Sequence, residues 1–590
     1  RNPNRLREFI SMHRVSASFA FFLVLSALHA QSLQAEIDAL LNVEWLRYGY
    51  CGVVVRDLQT GETLYQRDAE RVLIPASNMK LLVSAAALHR LGPDYRFRTR
   101  VWMRGTLLPD GTLQGDLILQ GLGDATLEMR GLETLAQQVR QAGVQRVQGY
   151  LLYDDSWLDA ERYGFGWSSD DEPFGYQAQM SALCAERNAV RLYAKPATQV
   201  GEPAQLRLEP ATDYVELVNR TRTVERGAAN TGIRATRTRA RNQIIVEGTI
   251  PMGSEEVFVG RYSVENPSRY AAHLFRQALQ AAGVVVERGI VPNLWKFDDH
   301  PLLKVPPASR GNQAAHSTVP LAKRGEPHAL QSVPLAKRGE PHALQSVPLA
   351  KRGEPAGGGQ FVNFNRAVGL TRQTHNPLWS AEAKLQRPAQ APLPHAIPAV
   401  WKRGDAGVTL LAEHLSPPLR EVVALINKPS DNLLTEIMLK TLGKEVRGAG
   451  TTAAGVQVLR EFLQSAGLEM GAVHIVDGSG LSRINGVSPE NFVRLLEYMH
   501  RSPHAEVFRE SLPVYGVDGT LRNRLRGTPV QGNGYAKTGS LNRVSSLSGY
   551  LRTKSGRWLA FSIIMNAYNA PASDTRALQD KLVQILWERL

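Results

Sequence analysis

Apolar and polar positions change period along the chain, and each change marks an element. Residues 52–66 alternate, GVVVRDL and then ETLYQ, around Thr60-Gly61, which predicts a β-hairpin. Pro75-Ala76-Ser77 then opens an Ala/Leu-rich stretch closed by Gly92, the pattern of a buried helix. Far downstream, INKPSDNLLTEIMLKTLG predicts an amphipathic helix beginning at Ser430-Asp431-Asn432. NGYAKTGSL starts a strand, and SSLSGYLRTKSGRWLAFSIIMNAY adds a strand, a turn at Ser555-Gly556 and an apolar strand. In between, RFRTRVWMRGTLL and RNQIIVEGTIP are strand-like, with turns at Asp110-Gly111 and Gly248, and ETLAQQVRQAG is helical. The pattern thus mixes strands and helices.

Two segments break these patterns. Residues 15–30, VSASFAFFLVLSALHA, form one apolar run behind His13 and Arg14 and end in small residues. The run falls short of the ~20 residues of a spanning helix, so 1–30 is expected to be a basic leader and export signal cut after Ala30. Met12 then reads as the start, and Leu28, unfavourable before a cleavage site, keeps an uncleaved anchor open. The second break is a repeat: VPLAKRGEP begins at Val319, Val333 and Val347, a period of 14 residues. Two Pro and one Gly per unit suit neither a coiled coil nor a long helix. Residues 296–404 are therefore expected to be a low-complexity, disordered insertion.

Composition narrows the function classes. With 43% hydrophobic and 21% charged residues the chain is an ordinary globular protein, and 590 residues allow several domains. The net charge of +14 first suggests a nucleic-acid partner. Residues 301–403 carry +10 of it and residues 1–14 carry +3, so the remainder is nearly neutral and no nucleic-acid footprint is expected. Two cysteines, Cys51 and Cys184, rule out a disulfide scaffold, although they could pair in an oxidising compartment. The 14 histidines show no H-E-x-x-H spacing, so neither a catalytic metal nor another cofactor is expected.

Ser77 and Lys80 stand three apart, which places both on one helix face. A serine hydroxyl needs a neighbouring base, and a lysine can serve if burial lowers its pKa. One S-x-x-K arises by chance about once in a chain this size, so it decides nothing alone. Ser430-Asp431-Asn432 reads equally as a helix cap or as a relay hydroxyl facing Lys80 beside a substrate-amide contact at Asn432. Lys537-Thr538-Gly539 reads as a strand turn or as a cation and hydroxyl gripping a carboxylate, the glycine admitting substrate backbone. Gly478-Ser479-Gly480 lacks the spacing of a nucleophile elbow and reads as a structural turn.

S-x-x-K, S-D-N and K-T-G in this order are the signature of β-lactamases and penicillin-binding proteins. The chain resembles the penicillin-binding protein 4 type of D-alanyl-D-alanine carboxypeptidase/endopeptidase, the class C low-molecular-mass group. The resemblance covers about residues 35–295 and 405–590, through PASNMKLL, GLGDATL, YLLYDDSWLD, SALCAERNAV, KPSDNLLTE, VDGSGLSR and AKTGSL. It implies an α+β fold: a β-lactamase/transpeptidase-like domain, an antiparallel sheet with helices, from 31–93 and 405–590, interrupted by smaller α/β accessory domains over 94–295. It implies that Ser77 forms an acyl-enzyme, Lys80 is its base, Ser430 relays a proton to the leaving amine and Asn432 holds the substrate amide. Lys537 and Thr538 would bind the terminal carboxylate, next to Gly539, and the amides of Ser77 and Ser540 would form the oxyanion hole.

Expected partners are peptidoglycan stem peptides, with β-lactam antibiotics as covalent inhibitors, in the periplasm. Peripheral membrane association and the oligomeric state stay open. Two rivals also stay open: a β-lactamase or esterase on the same scaffold, and an inactive wall-binding protein damaged by the repeat insertion.

Overall fold

The alternating segment at residues 50–67 is a hairpin, Tyr50–Asp57 against Thr63–Arg67, in a computed structural model that describes residues 33–229, 231–293 and 407–590. The leader at 1–30 and the insertion at 296–404 lie outside the described residues. The hairpin joins three C-terminal strands in one antiparallel sheet. The order is Gly534–Leu541, Val544–Arg552, Trp558–Asn566, Tyr50–Asp57, Thr63–Arg67. Opposite ends of the sequence thus share one sheet, and the strand carrying Lys537-Thr538-Gly539 lies at its edge.

Both faces of this sheet are covered, which explains the unbroken apolar run at its centre. Val54, Tyr550, Ala560 and Ile564 point into a core shared with the helices Met79–Leu91, Leu419–Asn427, Asn432–Arg447, Thr452–Ser465 and Pro489–Arg501. Val53, Val55, Phe561, Ile563 and Met565 point the other way, onto the helix Ala572–Arg589 and onto Leu33, Ile37 and Leu41. Each such side chain contributes roughly 1.5–3 kcal/mol of burial, and a one-residue slip would swap the two cores. Three of these helix starts are capped by side chains: Asp431 accepts from Leu434 N at 2.9 Å, Thr451 from Ala454 N at 3.1 Å and Ser488 from Asn491 N at 3.3 Å.

The segment between the two halves has its own core, around Leu117, Leu135, Val246 and Phe275. Its largest sheet is built on the hairpin Arg98–Leu107 and Thr112–Leu122, packed under the helices Met129–Gln141 and Pro267–Ala281. Two three-stranded sheets follow it. Strand Val408–Leu415 pairs antiparallel with Arg98–Leu107, so the returning chain adds an edge strand to the accessory sheet before its first helix. The expected division at residue 405 places that strand in the other domain; only long-range pairing decides where it goes.

Cys51 and Cys184 are free thiols in different cores, and burial pushes each up to about 12, so neither is a ready nucleophile. No helix among the described residues is long and apolar enough to cross a membrane.

Candidate active site

Ser77 sits on the short 3-10 turn Ala76–Asn78, which feeds directly into the buried helix Met79–Leu91. The turn is strained, with Ala76 at φ 47°. Three neighbours hold it in place. Ser546 Oγ donates to Pro75 O at 2.6 Å, and Asn78 Nδ2 donates to Ser548 Oγ at 2.6 Å. Gly539 closes the third side: a Cβ there would sit 2.7 Å from Pro75 O and 2.9 Å from Ser77 N. That glycine therefore admits the protein's own turn at Ser77.

Lys80 is wholly buried and its Nζ donates to Ser77 Oγ at 2.9 Å, Asn432 Oδ1 at 2.6 Å and Ser479 O at 2.6 Å. An ammonium has three N–H donors, and all are used here. The amide and carbonyl oxygens can only accept, so a deprotonated Lys80 keeps those two bonds and turns its lone pair to Ser77. Burial pushes the Lys80 ammonium down to about 8, against the opposing charges of Asp477, Glu436 and Asp431.

Asn432 begins the helix Asn432–Arg447, with Asp431 as its cap, so the sequence Ser430-Asp431-Asn432 is a helix start and part of the site at once. Asn432 Nδ2 donates to Tyr176 O at 2.8 Å, which fixes its amide orientation. Ser430 occupies the turn before the cap at φ 65°, yet the acceptor that meets Lys80 is Asn432, not Ser430. Lys537 is also buried, and its Nζ donates to Thr538 O at 2.8 Å. Burial and then the Lys80 charge hold Lys537 well below the ordinary lysine range. Thr538 Oγ1 donates to Thr520 Oγ1 at 2.7 Å, and Ser540 is exposed on the same edge strand. Lys80 and Lys537 are thus close enough to act on each other, beside the half-buried Thr538 and the exposed Ser540, a setting that favours an anion.

A family model, D-Ala-D-Ala carboxypeptidase 3 (S13), matches residues 33–308 and 396–589. The chain belongs to that family. It is 34% identical over 567 residues to the D-alanyl-D-alanine carboxypeptidase of Actinomadura sp. (strain R39), covering 94% of this chain and 84% of the relative. It is 21% identical to D-alanyl-D-alanine carboxypeptidase DacB of Haemophilus influenzae, over 90% of this chain and 88% of that one. The crystal structure of penicillin binding protein 4 from Haemophilus influenzae matches with a TM-score of 0.64 at 20% identity, covering 94% of this chain and 98% of that one. This S13 peptidase is accordingly a serine-type hydrolase on the expected β-lactamase/transpeptidase-like fold with inserted domains.

Several contributors to the S13 site escape a reading by motif. Gly478-Ser479-Gly480 is a structural turn, as expected, but it also supplies a Lys80 acceptor. Its amides at Gly478 and Ser479 donate to the buried Glu436, at 3.1 and 2.7 Å. Asp477 accepts from Gly480 N, Ser482 N and Asn485 Nδ2 in the same turn, at 2.8, 2.7 and 2.6 Å. Burial and the Asp477 charge push the Glu436 carboxyl up to about 7. Trp167 Nε1 donates to Asp477 Oδ2 at 2.9 Å, so the accessory segment reaches the site at Trp167 as well as at Tyr176. The Gly/aromatic density of YGFGW and PFGYQ is the only sequence signal for that loop.

Proposed function

We propose that this S13 peptidase cleaves D-Ala-D-Ala termini and cross-links of peptidoglycan stem peptides through an acyl-enzyme on Ser77. The observation that carries this reading is Lys80 Nζ, 2.9 Å from Ser77 Oγ and held on its other side by two pure acceptors. In the neutral form Lys80 takes the Ser77 proton as Oγ attacks the carbonyl carbon of the penultimate D-alanine. The C–N bond then breaks, and the leaving amine receives a proton relayed through Ser430. Water releases the acyl group and regenerates Ser77. Lys537 and Thr538 bind the substrate's terminal carboxylate, in keeping with the neighbouring Lys80 and Lys537. Asn432 contributes its remaining amide hydrogen and lone pair to the substrate amide. The edge strand 534–541 pairs with extended substrate next to Gly539, and the amides of Ser77 and Ser540 hold the developing oxyanion. No cofactor or metal enters this mechanism.

The family, and the β-lactam complex solved for the Haemophilus influenzae protein, support β-lactams as covalent inhibitors. Export to the periplasm rests on the apolar run at 15–30, with the peripheral membrane as a secondary location. Fluorescent penicillin tests the reading. The wild-type protein should form a stable adduct that maps by mass spectrometry to the peptide holding Ser77, and Ser77→Ala should form none. Rapid turnover of the drug would favour a β-lactamase, and an adduct on Ser77→Ala would remove Ser77 as nucleophile.

A further inference from the structure

Glu436 is a charged side chain at 0% exposure that the mechanism above does not use. It stands four residues after Asn432 on the helix Asn432–Arg447, so the two share one face, towards Lys80. Its Oε1 accepts from Gly478 N at 3.1 Å and Ser479 N at 2.7 Å, and Oε2 lies 3.2 Å from Gly478 N. The carbonyl of that same Ser479 accepts from Lys80 Nζ at 2.6 Å. A single chain of bonds therefore runs from the Glu436 carboxylate through the Ser479 residue to the lysine.

We infer that Glu436 is the positioning residue for Lys80: it fixes the Ser479 carbonyl that aims Nζ at Ser77, and its charge sets how readily Lys80 gives up its proton. The inference rests on Lys80 being the base for Ser77. Other groups act on Lys80 from every packed element. Asp477 comes from the 477–482 turn, Asp431 from the helix cap and Lys537 from the edge strand. Asp477 is itself occupied by Trp167, Asn485 and the amides of Gly480 and Ser482. Arg187 lies 3.8 Å from Asp431. Of the two carboxylates nearest the turn, Glu436 is the one bonded to Ser479 N. Removing its charge takes away an attraction that favours the ammonium, so Lys80 loses its proton at lower pH.

Second-order acylation by fluorescent penicillin, followed from pH 5.5 to 9.5, tests this on the full-length protein. Glu436→Gln should move the ascending limb down by about one pH unit and lower the plateau about tenfold. A role in packing alone would lower the active fraction or Tm and leave the limb where it is. Glu436→Asp keeps the charge but shortens the arm, so its limb should stay in place while its plateau falls; it also serves if the glutamine variant does not fold. A limb unmoved in Glu436→Gln, or a plateau unchanged in Glu436→Asp, overturns the inference while Ser77→Ala remains inert. Acylation of Ser77→Ala would overturn the base assignment and the inference with it.

Discussion

Gly480→Ala separates the cost of backbone strain from the cost of moving the nucleophile. Gly480 has φ 80°, and a Cβ there would overlap the Ala76 carbonyl and lie 3.0 Å from Ser77 N. An L-residue in this conformation costs about 1–2 kcal/mol. The overlap adds a second effect, since both atoms in the way are backbone and cannot rotate aside. Restoring ordinary contact needs a shift on the order of 1 Å in the Ala76–Ser77 turn. A displacement of that size at a reacting atom costs about 100-fold in rate. Gly556→Ala supplies the control: its φ is 87°, but nothing lies within 4 Å of the added methyl. Both variants should lose thermal stability through the left-handed backbone, Gly480→Ala more because of the overlap, whereas only Gly480→Ala should lose acylation, by about 100-fold in the second-order rate constant with fluorescent penicillin. Equal acylation in the two variants would show that the 478–480 turn does not position Ser77.

Acylation should rise with pH and reach half its plateau near 8, because only neutral Lys80 accepts the Ser77 proton; a profile flat from 6 to 9 would contradict this. Lys537→Met should raise Tm at pH 7. Burial depresses the Lys537 pKa in the fold, so carrying its charge costs more in the folded than in the unfolded chain. That gain should vanish as pH rises through the unfolded lysine value, roughly 10.4, and scanning fluorimetry at both pH values checks it. The same variant should lose more activity on substrates with a free terminal carboxylate than on amidated analogues, measured as kcat/KM. Deleting 310–398 should leave the acylation rate unchanged, since Pro- and Gly-bearing repeats offer no regular apolar face; a lost adduct would assign that region a structural role.

Sequence alone determined the elements whose signals are local. The hairpin around Gly61, the helix after Pro75, the Asp431 cap and the apolar strands at 544–566 each follow from period, turn and capping chemistry within a few residues. Ser77 and Lys80 were legible for the same reason, as three-residue spacing on a helix start fixes their approach. Contacts between distant segments were not. That Lys80 meets Asn432 across 352 positions and Ser479 across 399 depends on packing five helices against one face of the sheet. The tie from Tyr176 to Asn432 and the pairing of Val408–Leu415 with the accessory sheet have no local signature either. Glu436 is the sharpest case. In sequence it is one more polar residue on an amphipathic helix, and only burial opposite the Gly478 and Ser479 amides ties its carboxylate, through Ser479, to Lys80.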